Sequence, residues 1–565
     1  MSMNELESPA PQKGNRLLVA GLGAGLLIVV LLVLGVFAWR ALGTASVASA
    51  QAMPEDTVMY VSIDFVNLLD PAQANRLLKA VEPILEESDV EARSLEESLA
   101  ELDKNLQEEI SLTFTGDIQP WLGRSMGIGI LDLDLANVNN PEIPTILIAI
   151  ESRDEEAAQA FANKLIDSLR EKNEGLTFAA AEYNGDSYQT GSLNDSTWSI
   201  GVTNDLFLFG VGKSDILPQA FDAQKGGSLL DTASYQQVLG QLPADRTMTF
   251  YMGGSKLQEM YAEMLADADL PPTMDPAKMG VEAVQAFGGS FGMSAAGLQI
   301  DSIGTYDDSK FTAEQKALME ASAGVGESVA IMPDSTVAYI ANAGFSAMWP
   351  TIKSMVADLG TEEEFNESMT MATDLLGFSI EDDLIPALGN EMVIGVTKDE
   401  TGFLSEMAQA PLGLVFVHSV ADGAKMKEIV GSLQGTLEAQ GAPPISSVNQ
   451  NGVDFYQIED SGTTMLVYGS SDEYMVIGSS LAVADAIYQS ENRLKDTASF
   501  QAVEQALGRG MRVLAYVNVV EAVSMLPESE QDPRFMQLAN NFDTLAMGGQ
   551  YEDNMFKARA ILFVE

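Results

Sequence analysis

Apolar and polar positions along the chain change rhythm in a fixed order, and that order occurs twice. From Met53 the chain reads MPEDTVMYVSIDFVNLL, and from Met332 it reads MPDSTVAYIANAGFSAMW. DIQPWLGRSMGIGI, from Asp117, is followed in the second passage by DDLIPALGNEMVIGV, from Asp382, with Pro120/Pro386, Leu122/Leu388 and Gly123/Gly389 in common. PTILIAIESRDEEAAQAFANKL, from Pro144, is answered by PLGLVFVHSVADGAKMKEIV, from Pro411. In both, a short apolar run passes into a segment whose apolar residues recur every three or four positions, which predicts a strand followed by an amphipathic helix. YNGDSY at Tyr183 matches QNGVDFY at Gln450, and DTASYQQVLGQL at Asp231 matches DTASFQAVEQAL at Asp496. AFGGSF at Ala286 and AMGGQY at Ala546 close the series. Preserved order over so many phrases is a tandem duplication.

Each copy interleaves short strands with helices. Asn184-Gly185 and Asn451-Gly452 are the dipeptide that favours a tight hairpin. Ser125–Leu131 and Thr145–Glu151 lack room between them for a crossover helix, so they pair antiparallel. The expected fold class is α+β: two tandem copies of a mainly antiparallel sheet with helices on one face, preceded by one transmembrane helix. The shared Asp-Leu/Ile-x-Pro-x-Leu-Gly phrase is then a polar turn that ends a helix and launches a strand. One stretch breaks the symmetry. Within residues 86–110, Ala92, Leu95, Leu99, Leu102 and Leu106 lie at alternating spacings of three and four, predicting an amphipathic helix with an acidic outer face. The second copy has only the shorter acidic TEEEFNESMTMATDLL.

Ahead of the repeats, Leu17–Trp39 is uncharged and apolar throughout. A helix of that length crosses a hydrocarbon core of roughly 30 Å. A cleavable signal peptide is the competing reading, because ASVASA before Gln51 resembles a small-residue cleavage site. Signal cores run to about 7–15 residues, so an uncleaved anchor is the better fit. Lys13 and Arg16 precede the run and Arg40 follows it, which places the N-terminus inside and the bulk of the chain outside the cytoplasmic membrane. Gly21 and Gly25 form a small-xxx-small pair, commonly just tolerated in such segments. The expected organisation is a tail (1–16), the anchor (17–39), a linker (40–52), the first repeat (53–310), a linker (311–330) and the second repeat (331–565).

Composition adds exclusions. Asp and Glu number 82 against 30 Lys and Arg, a net charge of −52, so nucleic acid and anionic lipid surfaces are poor partners. Cysteine is absent and His418 is the single histidine, which excludes thiolate metal sites, iron–sulfur clusters, cysteine nucleophiles and two-histidine zinc motifs.

The opening strand with Pro54, Thr57 and Tyr60, and the later Pro120, Trp121, Leu122 and Gly123 ahead of a strand, resemble the bacterial domain-of-unknown-function family 3352. The likeness spans most of the chain after residue 52. The second copy departs from it with Ala387 where the first has Trp121. The resemblance implies an envelope setting and brings no catalytic residue or ligand.

Candidate chemistry is sparse. GVGKS at Gly210 resembles the end of a phosphate-binding loop, but Phe207 stands where the first glycine belongs. Asp460-Ser461-Gly462-Thr463 resembles half of an aspartic-protease site; that chemistry needs two carboxylates, and a hairpin turn explains the residues equally well. His418, at the end of an apolar strand, could serve as a base, yet the chain has no G-x-S-x-G or S-x-x-K motif, and a hydrogen-bonded structural histidine is the better reading. Asp132 and Asp134 offer oxygens to a hard cation without the rest of a calcium loop. No catalytic, cofactor or metal residue is therefore assigned. The expected function is a non-catalytic binding or scaffolding module of the cell envelope, reaching the membrane through its N-terminal run and meeting an envelope protein partner. Two alternatives stand: a binder of apolar, lipid-like ligands lined by some of the 28 methionines, and a carboxylate-based extracytoplasmic hydrolase.

Overall fold

A computed structural model describes residues 47–65, 76, 95–132, 144–173, 175–193, 196–259, 280–489, 491–526, 536 and 541–564. The predicted anchor Leu17–Trp39, its flanking charges and Asp134 lie outside the described residues. Among those described, no helix is long and apolar enough to cross a membrane. The chain divides into two compact units: Met1–Leu133, Ile143–Thr232 and Ala244–Met248 make the first, and Asp134–Glu142, Ala233–Pro243 and Thr249–Glu565 make the second.

The first unit contains β1 (Met59–Asp64), α1 (Leu95–Ile110), β2 (Leu122–Asp132), β3 (Thr145–Ser152), α2 (Glu155–Lys172), β4 (Thr177–Tyr183), β5 (Asp186–Leu193), β6 (Ser196–Thr203), β7 (Leu206–Gly212) and α3 (Ile216–Ala223). Its ladders run β1-β2-β3-β7-β6-β5-β4, all antiparallel. Asn184 and Gly185, with φ of 52° and 94°, turn β4 into β5. Positive φ at both positions is what the hairpin dipeptide supplies.

The second unit takes β8 (Met248–Gly253, apart from its first residue), β9 (Val284–Met293), β10 (Gly297–Tyr306), α4 (Ala313–Gly324), β11 (Thr336–Ala343), α5 (Phe345–Asp358), α6 (Glu362–Leu376), β12 (Leu388–Lys398), β13 (Leu412–Val420), α7 (Gly423–Ala439), β14 (Ile445–Gln450), β15 (Val453–Asp460), β16 (Thr463–Ser470), β17 (Tyr474–Gly478), α8 (Leu481–Ala486), α9 (Ala498–Leu507), β18 (Arg512–Asn518), α10 (Val519–Met525), β19 (Phe542–Glu552) and β20 (Met555–Val564). The order β11-β12-β13-β17-β16-β15-β14 repeats that of the first unit. Beyond β11 the sheet continues through β18, β19, β20, β10 and β9.

Two expectations need correcting. Two tandem sheets do not form: within the second unit, strands of both repeats belong to one antiparallel sheet. The cause is visible inside the second unit. There β10, from the first repeat, pairs with β20, from the second, along Gly297↔Phe563 to Thr305↔Met555. An unpaired strand leaves a row of open N–H and C=O groups, and each of these strands satisfies the other's. Arg559 fastens the seam by donating from Nε to the buried Asp301 at 2.7 Å. Second, helices do not keep to one face. In the first unit, α3 packs under Gly210 on one side of β7, while Phe207 and Phe209 meet α2 on the other. The reason is written in β7 itself: LFLFG is apolar at every position, which suits a strand covered on both faces.

The repeated phrase makes the same device in each unit. Asp117 Oδ2 accepts from Thr113 N at 2.9 Å and its Oδ1 meets Lys164 at 2.6 Å. Asp383 Oδ2 likewise accepts from Ser379 N at 2.8 Å, and its Oδ1 meets Lys425 at 3.0 Å. Lys425, then the Ser379 N–H, holds the Asp383 carboxyl below the usual carboxylate range. Each aspartate closes a short π-helical turn, Phe114–Ile118 or Ile380–Leu384, just before β2 or β12.

Candidate binding surface

Side chains alternate between the two faces of a strand, so register decides which of them lie together. In the second unit, one face carries a cross-strand row of Phe416, Ile394, Ile340, Ala515, Met547, Ala560 and Ile300. The next row is Leu414, Val396, Ala338, Val517, Leu545, Leu562 and Leu298. Neither row contains a polar residue. The opposite face of the same strands is the buried core, with Tyr339, Val393, Val415, Tyr516, Ala546 and Ile561. An antiparallel sheet with one solvated face normally turns polar side chains outward. Here Ile340 is 42 % exposed, Ile394, Leu414, Leu545 and Ile300 are 43 %, and Met547 is 38 %. Exposed apolar area of this continuity marks an interaction surface.

The corresponding face of the first unit is better covered: Ile128 and Ile146 are half-buried against a sealed cluster. Ile148, Ile150, Phe207 and Phe209 lie in one cluster with Leu99, Leu102, Leu106 and Ile110 of α1 and Phe161 and Leu165 of α2. Trp121, 1 % exposed, stacks obliquely on Phe161 at 5.1 Å and Phe207 at 5.4 Å and donates from Nε1 to the Asp117 carbonyl at 2.8 Å. The cavity left among these side chains is about 20 Å³, room for little more than one water. In the second unit Ala387 replaces that tryptophan. Helix α6, which packs on α7 as α1 packs on α2, buries none of its own side chains. Met371 and Leu375 of α6, and Met355 and Leu359 at the end of α5, stay exposed.

The first unit also has an open cleft of about 470 Å³ between α2 and β4–β6. Its lining is mixed: Gln159, Glu182 and Gln189 stand beside Ala162, Ile166 and Ile200. The cross-strand pair Gln189–Ile200 is matched in the second unit by Tyr456–Tyr468, stacked at 5.3 Å and packed with Met426, Ile429 and Val430 of α7.

The residues singled out in the sequence fall apart into structural roles. His418 is fully buried at the border of the apolar face. Its Nε2 accepts from the Phe345 N–H at 3.0 Å, so the imidazole satisfies the first free N–H of α5. Nδ1–H donates to the Ser419 carbonyl at 2.8 Å, and the Phe345 ring stacks on it at 6.0 Å. Burial pushes the imidazole below its ordinary pKa. Both nitrogens are engaged by backbone, and the structure brings no serine–carboxylate pair to them. The first unit's counterpart is Ile150, which pairs with Met126 as His418 pairs with Met392. Asp460 ends β15 at a turn where Ser461 and Gly462 have φ of 53° and 88°, the hairpin geometry. Asp132 forms an ion pair with Lys213, the lysine of the GVGKS stretch, so two candidates are one surface contact.

Buried carboxylates elsewhere are likewise held by donors. Glu391 Oε1 accepts from Gly326 N at 2.7 Å and from Ser328 N at 3.2 Å. Asp485 takes amide N–H groups from Gln450, Asn451 and Gln489. Among the described residues, no three His, Cys, Asp or Glu side chains gather as a metal site. The apolar face itself escaped the sequence reading. Its signal was there: LGLVFV in β13 has no polar alternate position, which demands cover on both sides.

Comparison with curated proteins gave no match. Two solved structures, crystal forms I and III of TP0453, are similar at 10 % identity over 50 % of this chain. They are covered over 87 % and 88 % of their own lengths, with TM-scores of 0.24 and 0.23, values that carry no argument about fold or function. A family model does match, over residues 19–564, and the chain belongs to that family, described as Protein of unknown function (DUF3352).

Proposed function

We propose that this protein is a non-catalytic binding module of the cell envelope whose working surface is the open apolar sheet face of the second unit. The observation that carries the reading is the pair of uninterrupted apolar rows through Ile394 and Leu414, exposed on a chain of net charge −52. Leaving such a face in water is unfavourable, by roughly 25 cal/mol per Å² of apolar area, unless something covers it. The proposed location is outside the cytoplasmic membrane, with attachment through the apolar run Leu17–Trp39 and the N-terminus inside. Span length and the Lys13/Arg16 flank support it.

The test is complementation of a deletion strain. An Ile340→Lys/Ile394→Lys protein, present at normal folded levels, is expected to lose the cellular role. A His418→Ala protein that stays folded is expected to keep it. Loss in the second and retention in the first would replace this reading with a catalytic one. Protease shaving of spheroplasts checks the location: a protected C-terminal unit would overturn it.

The cleft under α2 favours a second reading, a site for a small ligand with both apolar and hydrogen-bonding groups. Gln189→Tyr together with Ile200→Tyr would fill it with the side chains the second unit already uses. If complementation fails with that variant and survives Ile340→Lys/Ile394→Lys, the cleft is the working site.

A further inference from the structure

We infer that the open face takes an amphipathic helix of a partner protein whose polar side is basic. The inference rests on the reading of that face as the working surface and names its occupant.

Four observations lead to it. The strands that form the exposed floor, β12, β11, β18, β19, β20 and β10, are each paired on both sides, so none of them offers an open edge to an added strand. Recognition must then go through apolar side chains alone. Next, the molecule carries its own example of what covers this face. In the first unit α1 closes it, burying Leu99, Leu102, Leu106 and Ile110, at helical spacing, in one cluster with β3 and β7. In the second unit the counterpart α6 leaves Met371 and Leu375 exposed and holds Phe365, Met369 and Leu376 only half-buried, so the apolar layer that α1 supplies is reduced.

Charge selects the occupant's other side. Glu362, Glu363, Glu364, Glu367 and Asp374 of α6 are all exposed. Two lysines of neighbouring elements are already committed: Lys398 of β12 pairs with Glu521, and Lys353 of α5 with Glu381. A second copy of this chain would bring the same sign of charge, and anionic lipid headgroups would be repelled. A helix with lysine or arginine on its polar face is attracted. Finally, Met355, Met371 and Met547 are among the exposed residues. Unbranched, polarisable side chains adapt to apolar knobs of varied shape, as helix-binding surfaces require.

The experiment uses the full chain in phosphatidylcholine nanodiscs and a labelled synthetic helix with leucine at positions i, i+3, i+4 and i+7 and lysine elsewhere. A twin with glutamate for lysine is the control. Fluorescence polarisation should show the basic peptide binding at least roughly tenfold tighter than its twin, with the preference shrinking as salt screens the charges. Ile394→Lys and, independently, Leu545→Lys should each weaken it by about tenfold while the denaturation midpoint holds. Equal binding of the two peptides would overturn the inference in favour of an uncharged occupant such as an acyl chain. A stable dimer broken by the same substitutions would overturn it in favour of a second copy. If Ile340→Lys/Ile394→Lys abolishes the cellular role but the basic peptide does not bind, the occupant is wrong and the face stands. If the peptide binds and the cell ignores the double substitution, the face itself is not the working surface and both readings fall.

Discussion

Ile128 in the first unit and Ile394 in the second occupy the same place in the same ladder: each follows a Met-x step in the strand after the repeated phrase, and each pairs across to the next strand, with Ile148 or Phe416. Ile128 is half-buried against a cluster sealed by Trp121 and the apolar stripe of α1. Ile394 is 43 % exposed, with Ala387 in place of the tryptophan and α6 burying nothing. One duplicated pattern thus yields a closed core and an open face, and the strands hardly differ. What differs is the helix layer. A strand pattern sets the ladder, whereas the volume of a few side chains above it decides whether the face is used up inside the molecule.

The sharpest way to break this comparison is Trp121→Ala. It removes the largest side chain from the layer that closes the first unit and strands its neighbours Phe161 and Phe207. The expected cost is about 3–5 kcal/mol in chemical denaturation, as for other fully buried tryptophans. A loss under about 1 kcal/mol would mean that the first unit's face is not sealed in the way argued.

Next in size is the contrast between the two counterpart helices. Leu102, 1 % exposed in α1, should cost about 2–5 kcal/mol when replaced by alanine. Met371, 71 % exposed in α6, should change stability by no more than about 0.5 kcal/mol under the same substitution. Similar losses at both sites would show that α6 is packed in solution, and the open face with it would be gone.

Parts of this difference were legible in the sequence. The ordered phrases mark equivalent strands, and Asn184-Gly185 and Asn451-Gly452 mark the hairpins, because both signals are local. Trp121 against Ala387 was visible too, though without the sheet its consequence was not. The sheet shared by the two repeats was out of reach for a physical reason. The pairing of β10 with β20 joins residues as distant as Asp301 and Arg559, and neither strand's periodicity names its partner. The apolar face failed differently. Runs such as LGLVFV imply cover on both sides, and only the helix layer reveals that one side lacks it. Of the candidate residues, His418 as a hydrogen-bonded structural group and Asp460 as a turn residue agree with their geometry. That His418 holds the start of α5 could not be read, since Phe345 is far from it in the chain.

A smaller effect is expected at His418, where the second unit has a polar anchor and the first has Ile150. His418→Ala should cost about 1–3 kcal/mol near pH 7.5, through the lost bond to the Phe345 N–H and the cavity left behind. The folded imidazole titrates below its ordinary value because burial disfavours the cation. An unfolded chain takes up the proton near the usual value of about 6.5, so the fold is penalised as pH falls below that point. The stability contributed by neutral His418 is therefore complete above about 6.5 and declines toward the lower folded value. The gap between the unsubstituted protein and His418→Ala should narrow between pH 7.5 and pH 5.5. A gap that widens instead would mean that the cation is favoured in the fold, contrary to the hydrogen bond Nε2 accepts.

The smallest expected effect makes one unit imitate the other. Gln189→Tyr with Ile200→Tyr places in the first unit the pair that stacks as Tyr456 and Tyr468 in the second. The cleft of about 470 Å³ under α2 has room for both rings, so overpacking should not arise. Added aromatic contact favours the variant, by about 0.5–1.5 kcal/mol for a stacked pair. Against it stands the loss of Ile200, which is 1 % exposed and belongs to the first unit's core. These terms have similar size and opposite sign, and the net shift should stay within about 1 kcal/mol. The hydroxyls separate the two settings further. Tyr468 Oη is buried without a hydrogen-bond partner among the described residues, and burial first, then Tyr456, raises its pKa to about 12. In the open cleft of the first unit the new hydroxyls meet water, so their titration, followed by absorbance, should begin at lower pH than that of Tyr468. A destabilisation above about 3 kcal/mol would show that the two clefts are not equivalent. The comparison of the units would then hold for the sheet and fail for the helices laid on it.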